Sequence, residues 1–259
     1  MVIKVKFYLL LLFLSTTLPV VAQDVKEVEG DAAFLFAYSV KEGQMNNFVE
    51  GYKKHLQWHI DTNDPLPWYA WFVFTGNRLG LFIDGTFGIS FEAFDNRVAP
   101  REDYQDFLKT TAPFVDADFR QVLQLKRDLS TIFLLEEQKP TSQIDIFHIE
   151  LHQGTEVDFE KLIRDIVSKI SKSSEKVNFT TYKILSGSEH PMYIVIAPRN
   201  NFKDFNSSTT FNSFTALITN YQDPEHVNQY LGKLNKIIKN TYTETWRYRV
   251  DLSAFSKKE

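Results

Sequence analysis

The sequence predicts an α+β fold in which two tandem β-α-β-β-α-β units pair their sheets into one pseudo-symmetric α/β barrel. Three observations carry that reading. The first is self-similarity. Sliding the chain along itself by 111 positions lays Val40-Lys41-Glu42-Gly43 over Leu151-His152-Gln153-Gly154 and Thr75-Gly76 over Ser186-Gly187. The same shift sets Phe36 on Phe147, Phe48 on Phe159, Ile83 on Ile194, Phe91 on Phe202 and Phe94 on Phe205. A gapless register kept over about 60 residues marks two copies of one structural unit. The second is the matching order of elements in each half. The third is geometric: an antiparallel sheet with both helices on one face leaves its other face uncovered, and a neighbouring sheet hides it.

Each unit opens on a strand, Ala33–Val40 in the first and Ile144–Leu151 in the second, followed by a turn that carries a glycine. A helix follows. In the second unit Phe159, Leu162, Ile163, Ile166, Val167 and Ile170 recur at the i, i+3, i+4, i+7 spacing of one buried face. Two apolar runs around a turn then predict a hairpin, Trp68–Phe74 with Leu79–Phe87 and Phe179–Leu185 with Pro191–Pro198. A second helix is predicted near Asp118–Leu129 and near Glu225–Asn240, and a last strand over Ser130–Glu136 and Thr245–Leu252. The domain reading is thus a tail over residues 23–33, a first unit over 34–135, a polar linker over 136–143 containing Pro140, and a second unit over 144–254.

The N-terminus reads as a targeting segment. Met1–Ala22 has two lysines, an apolar run from Phe7 to Leu14 and a small-residue close at Ala22, which predicts a secretory signal peptide and an exported, periplasmic or extracellular protein. Its apolar run is far shorter than the roughly 20 residues that span a bilayer, and no later segment predicts a membrane span. The chain has no cysteine, which excludes disulfides, thiolate metal sites and a cysteine nucleophile. Without the leader's Lys4 and Lys6, 27 basic residues stand against 33 acidic ones, a net charge of −6 that argues against nucleic acid as a partner. No G-x-S-x-G elbow, phosphate-cradling glycine loop or dinucleotide fingerprint is present.

The candidate site comes from comparing the halves. Under the 111-residue shift His55 falls on Ile166 and His59 on Ile170, inside the buried stripe that Phe48, Tyr52 and Leu56 complete. Both imidazoles are therefore expected to face the sheet, about 6 Å apart along the helix axis. Three readings stand: core residues with satisfied ring nitrogens, a ligand or proton-transfer site, or a metal site gripped by His55 and His59 from one helix face. Leu56 occupies the position of the glutamate base of the zinc-protease motif, which excludes that chemistry. In the hairpin, Asp84 replaces the position of Val195 and Gly85 that of Ile196. A carboxylate within an apolar strand is costly unless paired or wet, so Asp84 is expected in a polar cavity, bonded to a histidine of the helix, or at a β-bulge or strand end. The segment Trp58–Trp71 holds three of the four tryptophans and two prolines, as a cleft lining or a core cap would. The ligand-binding candidates are His55, His59, Trp71, Asp84, Trp68 and Tyr38; the metal candidates are His55 and His59. The sequence assigns no catalytic residue, cofactor or oligomeric state.

The repeat, its element order and its spacing resemble the ferredoxin-like, dimeric α/β-barrel superfamily over Phe34 to about Ala254. That resemblance implies two sheets paired into a barrel with helices outside. It also implies a group that includes haem-binding oxidoreductases and cofactor-independent monooxygenases, in which a histidine would ligate iron or act as a general base with Asp84 orienting it. The leading expectation from the residues is an exported protein that binds a small or medium apolar ligand in a cavity of the N-terminal unit. The alternatives are a haem-dependent, metal-dependent or cofactor-free oxidoreductase and a structural or protein-interaction module.

Overall fold

The computed structural model describes residues 29–174, 177–206, 211–221 and 224–255. The expected signal peptide lies outside them. In chain order the elements are β1 (Glu29–Val40), α1 (Met45–Asp61), β2 (Tyr69–Val73), β3 (Phe82–Ile89), α2 (Glu92–Asp95), α3 (Pro100–Thr110), β4 (Val115–Leu125), β5 (Gln143–Leu151), α4 (Glu156–Lys172), β6 (Thr180–Ser186), β7 (Met192–Arg199), α5 (Phe214–Asn220), α6 (Val227–Ile237) and β8 (Ile238–Tyr248). The eight strands close into a barrel in the order β1-β3-β2-β8-β5-β7-β6-β4, every neighbouring pair antiparallel. Closure leaves no edge strand with unpaired backbone groups.

Both faces of this sheet are buried, and strand alternation assigns each side chain to a face. Leu35, Trp71, Ile83, Phe87, Tyr182, Ile194, Ile196 and Trp246 pack together inside the barrel. Outside the second half, Phe159, Leu162, Ile163, Ile166 and Ile170 of α4 pack on Phe147, Ile149, Tyr193 and Val195 of the sheet. Burying one such side chain contributes about 1.5–3 kcal/mol. Outside the first half, Phe48 and Tyr52 of α1 pack on Tyr38, Ala70 and Phe82. Phe82 and Asp84 therefore face the helix, whereas Ile83 and Phe87 face the barrel interior.

Three expectations for elements are corrected. Residues 115–125 form β4, not a helix over Asp118–Leu129. Phe119, Val122 and Leu123 mimic a helical stripe, but β4 bonds to β1 on one side and β6 on the other, and those ladders close the barrel. The second helix of the first half is α3, at Pro100–Thr110. Residues 130–136 are a loop rather than a strand, with Leu135 packed against the barrel interior. In the second half the last strand begins at Ile238 and ends at Tyr248, with a 3-10 turn at Val250–Leu252, and α5 is an additional helix that no periodicity announced.

Two helix ends place the site. The Thr62 hydroxyl bonds the Trp58 carbonyl at the end of α1, and Asn63 turns the chain through a left-handed conformation that Asn tolerates. The Asp64 amide then bonds the His59 carbonyl, returning Asp64 beside the last turn of α1. α3 starts with Pro100 in its first turn, where a missing N–H costs nothing, and carries Glu102 and Asp103 there, complementing the positive end of the helix dipole.

Candidate active site

Between α1, α3 and the outer face of β1 and β3 lies a cavity of about 140 Å³. That is close to the roughly 150 Å³ apolar cavity known to admit benzene, so the site is the size of one ring. Its walls are Phe36, Tyr38, Trp68 and Phe107; its polar groups are Tyr52, His55, His59, Asp84, Arg97, Asp103 and Arg120. Arg120 is exposed at the lip, its guanidinium 5.5 Å from the centre of the Phe36 ring.

Asp84 stands on β3 opposite Phe36 of β1 and Ala70 of β2. The Tyr52 hydroxyl donates to its Oδ2 at 2.9 Å, while its Oδ1 is buried with no hydrogen-bond partner. Burial pushes the carboxyl up to about 7, and the nearby Asp103 charge adds to that; the Tyr52 bond and Arg120 oppose it. Burial, together with the Asp84 charge beside it, holds the Tyr52 phenol well above its ordinary range, so Tyr52 remains a donor.

The two histidines meet a third residue and two carboxylates behind them. His55 Nε2 and His59 Nε2 each lie 3.5 Å from Asp103 Oδ1, and Arg97 pairs with the other oxygen of Asp103. On its far side His55 Nδ1 bonds Asp106 Oδ2 at 2.8 Å, and His59 Nδ1 bonds Asp64 Oδ2 at 2.7 Å. Burial pushes His55 below the usual imidazole range against the pull of Asp106. Burial alone would raise Asp64, but donors from His59, the Leu66 amide and the Trp68 indole outweigh it and hold the carboxyl below its usual value. Among the described residues, His55, His59 and Asp103 form the one group of three His, Asp or Glu side chains spaced to hold a metal ion.

Five of the six residues expected to bind a ligand, His55, His59, Asp84, Trp68 and Tyr38, line this cavity. Trp71 does not: it packs inside the barrel, its ring stacked 5.6 Å from Tyr69, because it stands on the opposite face of β2 from the helix. Asp84 bonds Tyr52 rather than a histidine. Asp103, Asp106 and Arg97 were not foreseen. Their signal was the run Ala99-Pro100-Arg101-Glu102-Asp103, a proline followed by acidic residues, which marks a helix start.

The haem that the superfamily resemblance implies does not fit here. A ring-sized cavity cannot take a macrocycle, and both imidazole Nε2 atoms are turned to Asp103 rather than to an open apolar slot. A second buried polar group lies on the other half of the barrel. There Glu244 accepts from Arg78 at 2.8 and 2.6 Å and from the Trp246 indole at 2.9 Å, which pairs the charge where it is buried.

No protein-family model matches the sequence, and no curated protein compared with it does. Solved structures do resemble it. A candidate monooxygenase from Lactobacillus acidophilus superposes with a TM-score of 0.52 at 12% identity, covering 88% of this chain and 97% of that one. An anthrone oxidase-like protein gives 0.53 at 10% identity, over 90% and 97%. A doubly substituted chlorite dismutase from Candidatus Nitrospira defluvii gives 0.53 at 6% identity, over 86% and 93%. Likeness at these identities establishes a shared barrel fold.

Proposed function

We propose that this chain is an oxidoreductase that holds a ring-sized organic substrate in the cavity under α1 and α3 and moves the substrate's proton through Asp84. One observation carries the reading: a buried carboxyl lines the cavity with one oxygen bonded to Tyr52 and the other unpartnered. A carboxyl tuned to about 7 both accepts and donates protons near neutral pH. Tyr52 steadies its charged form, and Phe36, Tyr38, Trp68 and Phe107 grip the ring. In the simplest form of the reaction two electrons and two protons leave the substrate and dioxygen takes both, becoming hydrogen peroxide. The neighbours carry the names of redox enzymes, which supports this reading over plain ligand binding.

Oxygen uptake with the single-ring diphenols hydroquinone and catechol tests it. The wild type should consume oxygen with at least one of these, and Asp84→Asn should lower the rate by about 10²–10⁴-fold, the usual contribution of a positioned acid–base group. Uptake by Asp84→Asn equal to that of the wild type would overturn the assignment.

We also read the two halves as copies of one unit, a reading supported by their strand orders, β4-β1-β3-β2 and β8-β5-β7-β6, which correspond strand for strand. Residues 1–22 we propose to be an export signal; a secreted or periplasmic chain beginning at Gln23, read by mass spectrometry, is the expected product. A chain retaining Met1 in the cytoplasm would refute it.

A further inference from the structure

Beside the cavity three acceptor atoms converge on one point. Nε2 of His55 and Nε2 of His59 are each 3.5 Å from Oδ1 of Asp103, and the three atoms all lie within 4.8 Å of one another. Each imidazole donates its Nδ1–H to a carboxylate, His55 to Asp106 at 2.8 Å and His59 to Asp64 at 2.7 Å. An ionised carboxylate only accepts, so these bonds place a proton on each Nδ1, and in the neutral imidazole the Nε2 lone pair then faces Asp103. At 3.5 Å these contacts are too long for hydrogen bonds, and Oδ1 of Asp103 is buried without any donor. Lone pairs of three acceptors held together repel one another. A cation at their centre turns that repulsion into attraction.

We infer that His55, His59 and Asp103 form the binding site of a single divalent first-row transition-metal ion, with Asp64 and Asp106 orienting the imidazoles. Two of the three edges match: ligand bonds of about 2.1 Å at tetrahedral angles set neighbouring ligand atoms about 3.4 Å apart, against the 3.5 Å of both histidine–aspartate edges, while the edge between the two imidazoles lies within 4.8 Å and closes on the ion by a turn of the rings. The sequence separation agrees as well, because residues four apart on a helix share a face and two histidines so placed grip one ion. Carboxylates behind the imidazoles are the usual outer support of a metal site, fixing the tautomer and raising ligand basicity. Arg97 holds the second oxygen of Asp103, which keeps Oδ1 turned inward. Three protein ligands leave positions free, as catalytic rather than structural sites do, and the ligands line the same cavity as Asp84. Two imidazoles and one carboxylate suit iron(II) and its neighbours in the first row, and with no cysteine the chain offers no thiolate to compete. The inference goes beyond the oxidoreductase reading and rests on ligand geometry alone, so the two fail separately.

The test is a titration of the chelator-treated full-length mature chain with Co²⁺ and Zn²⁺ at pH 7.5. One equivalent of Co²⁺ should bind and give visible d–d absorption, which Zn²⁺ then displaces. In ¹⁵N-imidazole spectra of the unaltered protein, Co²⁺ should broaden the His55 and His59 signals and spare those of His152, His190 and His226, a readout that needs no variant to fold. His55→Gln with His59→Gln should abolish the absorption. Asp103→Asn should weaken binding more than about 100-fold, beyond the 10–100-fold that loss of an outer carboxylate brings. The inference is overturned if millimolar Co²⁺ gives no stoichiometric uptake, if the double variant binds as the wild type does, or if both imidazoles are doubly protonated in the metal-free chain and Zn²⁺ releases no proton from them. Metal uptake without oxygen consumption would leave this site standing and remove the oxidoreductase reading; oxygen consumption without metal uptake would do the reverse.

Discussion

The Tyr52 hydroxyl on α1 reaches down to Oδ2 of Asp84 on β3, 2.9 Å away, and ties the helix to the strand it covers through a carboxyl whose other oxygen has no partner. Burial raises the Asp84 carboxyl to about 7, so the folded state holds its proton more tightly than the unfolded chain does. The sign of the stability effect follows. Below the unfolded value both states are protonated and nothing is lost; as pH rises through 7 the folded state must bury a charge and loses stability. Asp84→Asn should therefore unfold at the same temperature as the wild type near pH 4 and at a higher one at pH 8, by up to about 4 kcal/mol at 1.36 kcal/mol per pKa unit. Thermal unfolding across pH measures this, and a variant weaker than the wild type at pH 8 would contradict the buried-acid account.

Tyr52→Phe acts on the same carboxyl in the opposite sense. The phenol favours the charged form of Asp84, so its removal should move the Asp84 titration upward and shift the acid limb of any pH–rate profile with it. Stability should fall by about 1.5–3 kcal/mol above pH 7, the value of a hydrogen bond to a charged group. A profile unmoved by the substitution would remove Tyr52 from the proton path.

How much of this was legible in the sequence depended on how each element earns its burial. α1 and α4 present apolar or aromatic side chains at helical spacing, and both were read at the right place; the barrel strands β1, β3, β5 and β7 are rich in apolar and aromatic side chains and were read likewise. α3 buries only Asp103, so no hydrophobic stripe announced it, and the ligand it carries was missed with it. β4 was misread because Phe119, Val122 and Leu123 fall at helical spacing, and only long-range pairing with β1 and β6 makes the segment a strand. Of the site itself, His55, His59 and Asp84 stood out because they replace aliphatic positions of the second half. Asp64 and Asp106 are ordinary polar residues in sequence, and become partners of the histidines only through the turn at Asn63 and the docking of α3.

Asp64 illustrates what that turn supplies. It accepts from His59 Nδ1 at 2.7 Å, from the Leu66 amide at 3.1 Å and from the Trp68 indole at 3.1 Å, so one carboxylate fixes an imidazole, a loop and a cavity wall. Asp64→Asn loses the charge shared by these three donors. It should cost about 1.5–3 kcal/mol of stability and about 10–100-fold in Co²⁺ affinity, measured by denaturant unfolding and by the d–d absorption. Unchanged affinity would show that His59 needs no carboxylate behind it.

The site also depends on how closely α1 and α3 approach, and one glycine sets that distance. A Cβ on Gly51 would stand 1.9 Å from the Thr110 carbonyl oxygen, backbone that cannot swing aside, so Gly51→Ala forces the helices apart. Overpacking of this kind costs about 1–3 kcal/mol, and because Asp103 and Asp106 ride on α3 while His55 and His59 ride on α1, the same displacement should open the histidine–aspartate contacts and weaken Co²⁺ binding. Gly232 on α6 provides the control: it too lies in a helix, but a Cβ there would meet nothing within 4 Å. Alanine at that position should stabilise the protein by about 0.5–1 kcal/mol, since it only removes the entropy that a helical glycine loses on folding. Opposite signs for the two substitutions, with metal affinity lost in Gly51→Ala alone, would separate close helix packing from helix propensity; equal stabilisation by both would mean that α1 and α3 are not held at the distance the site requires.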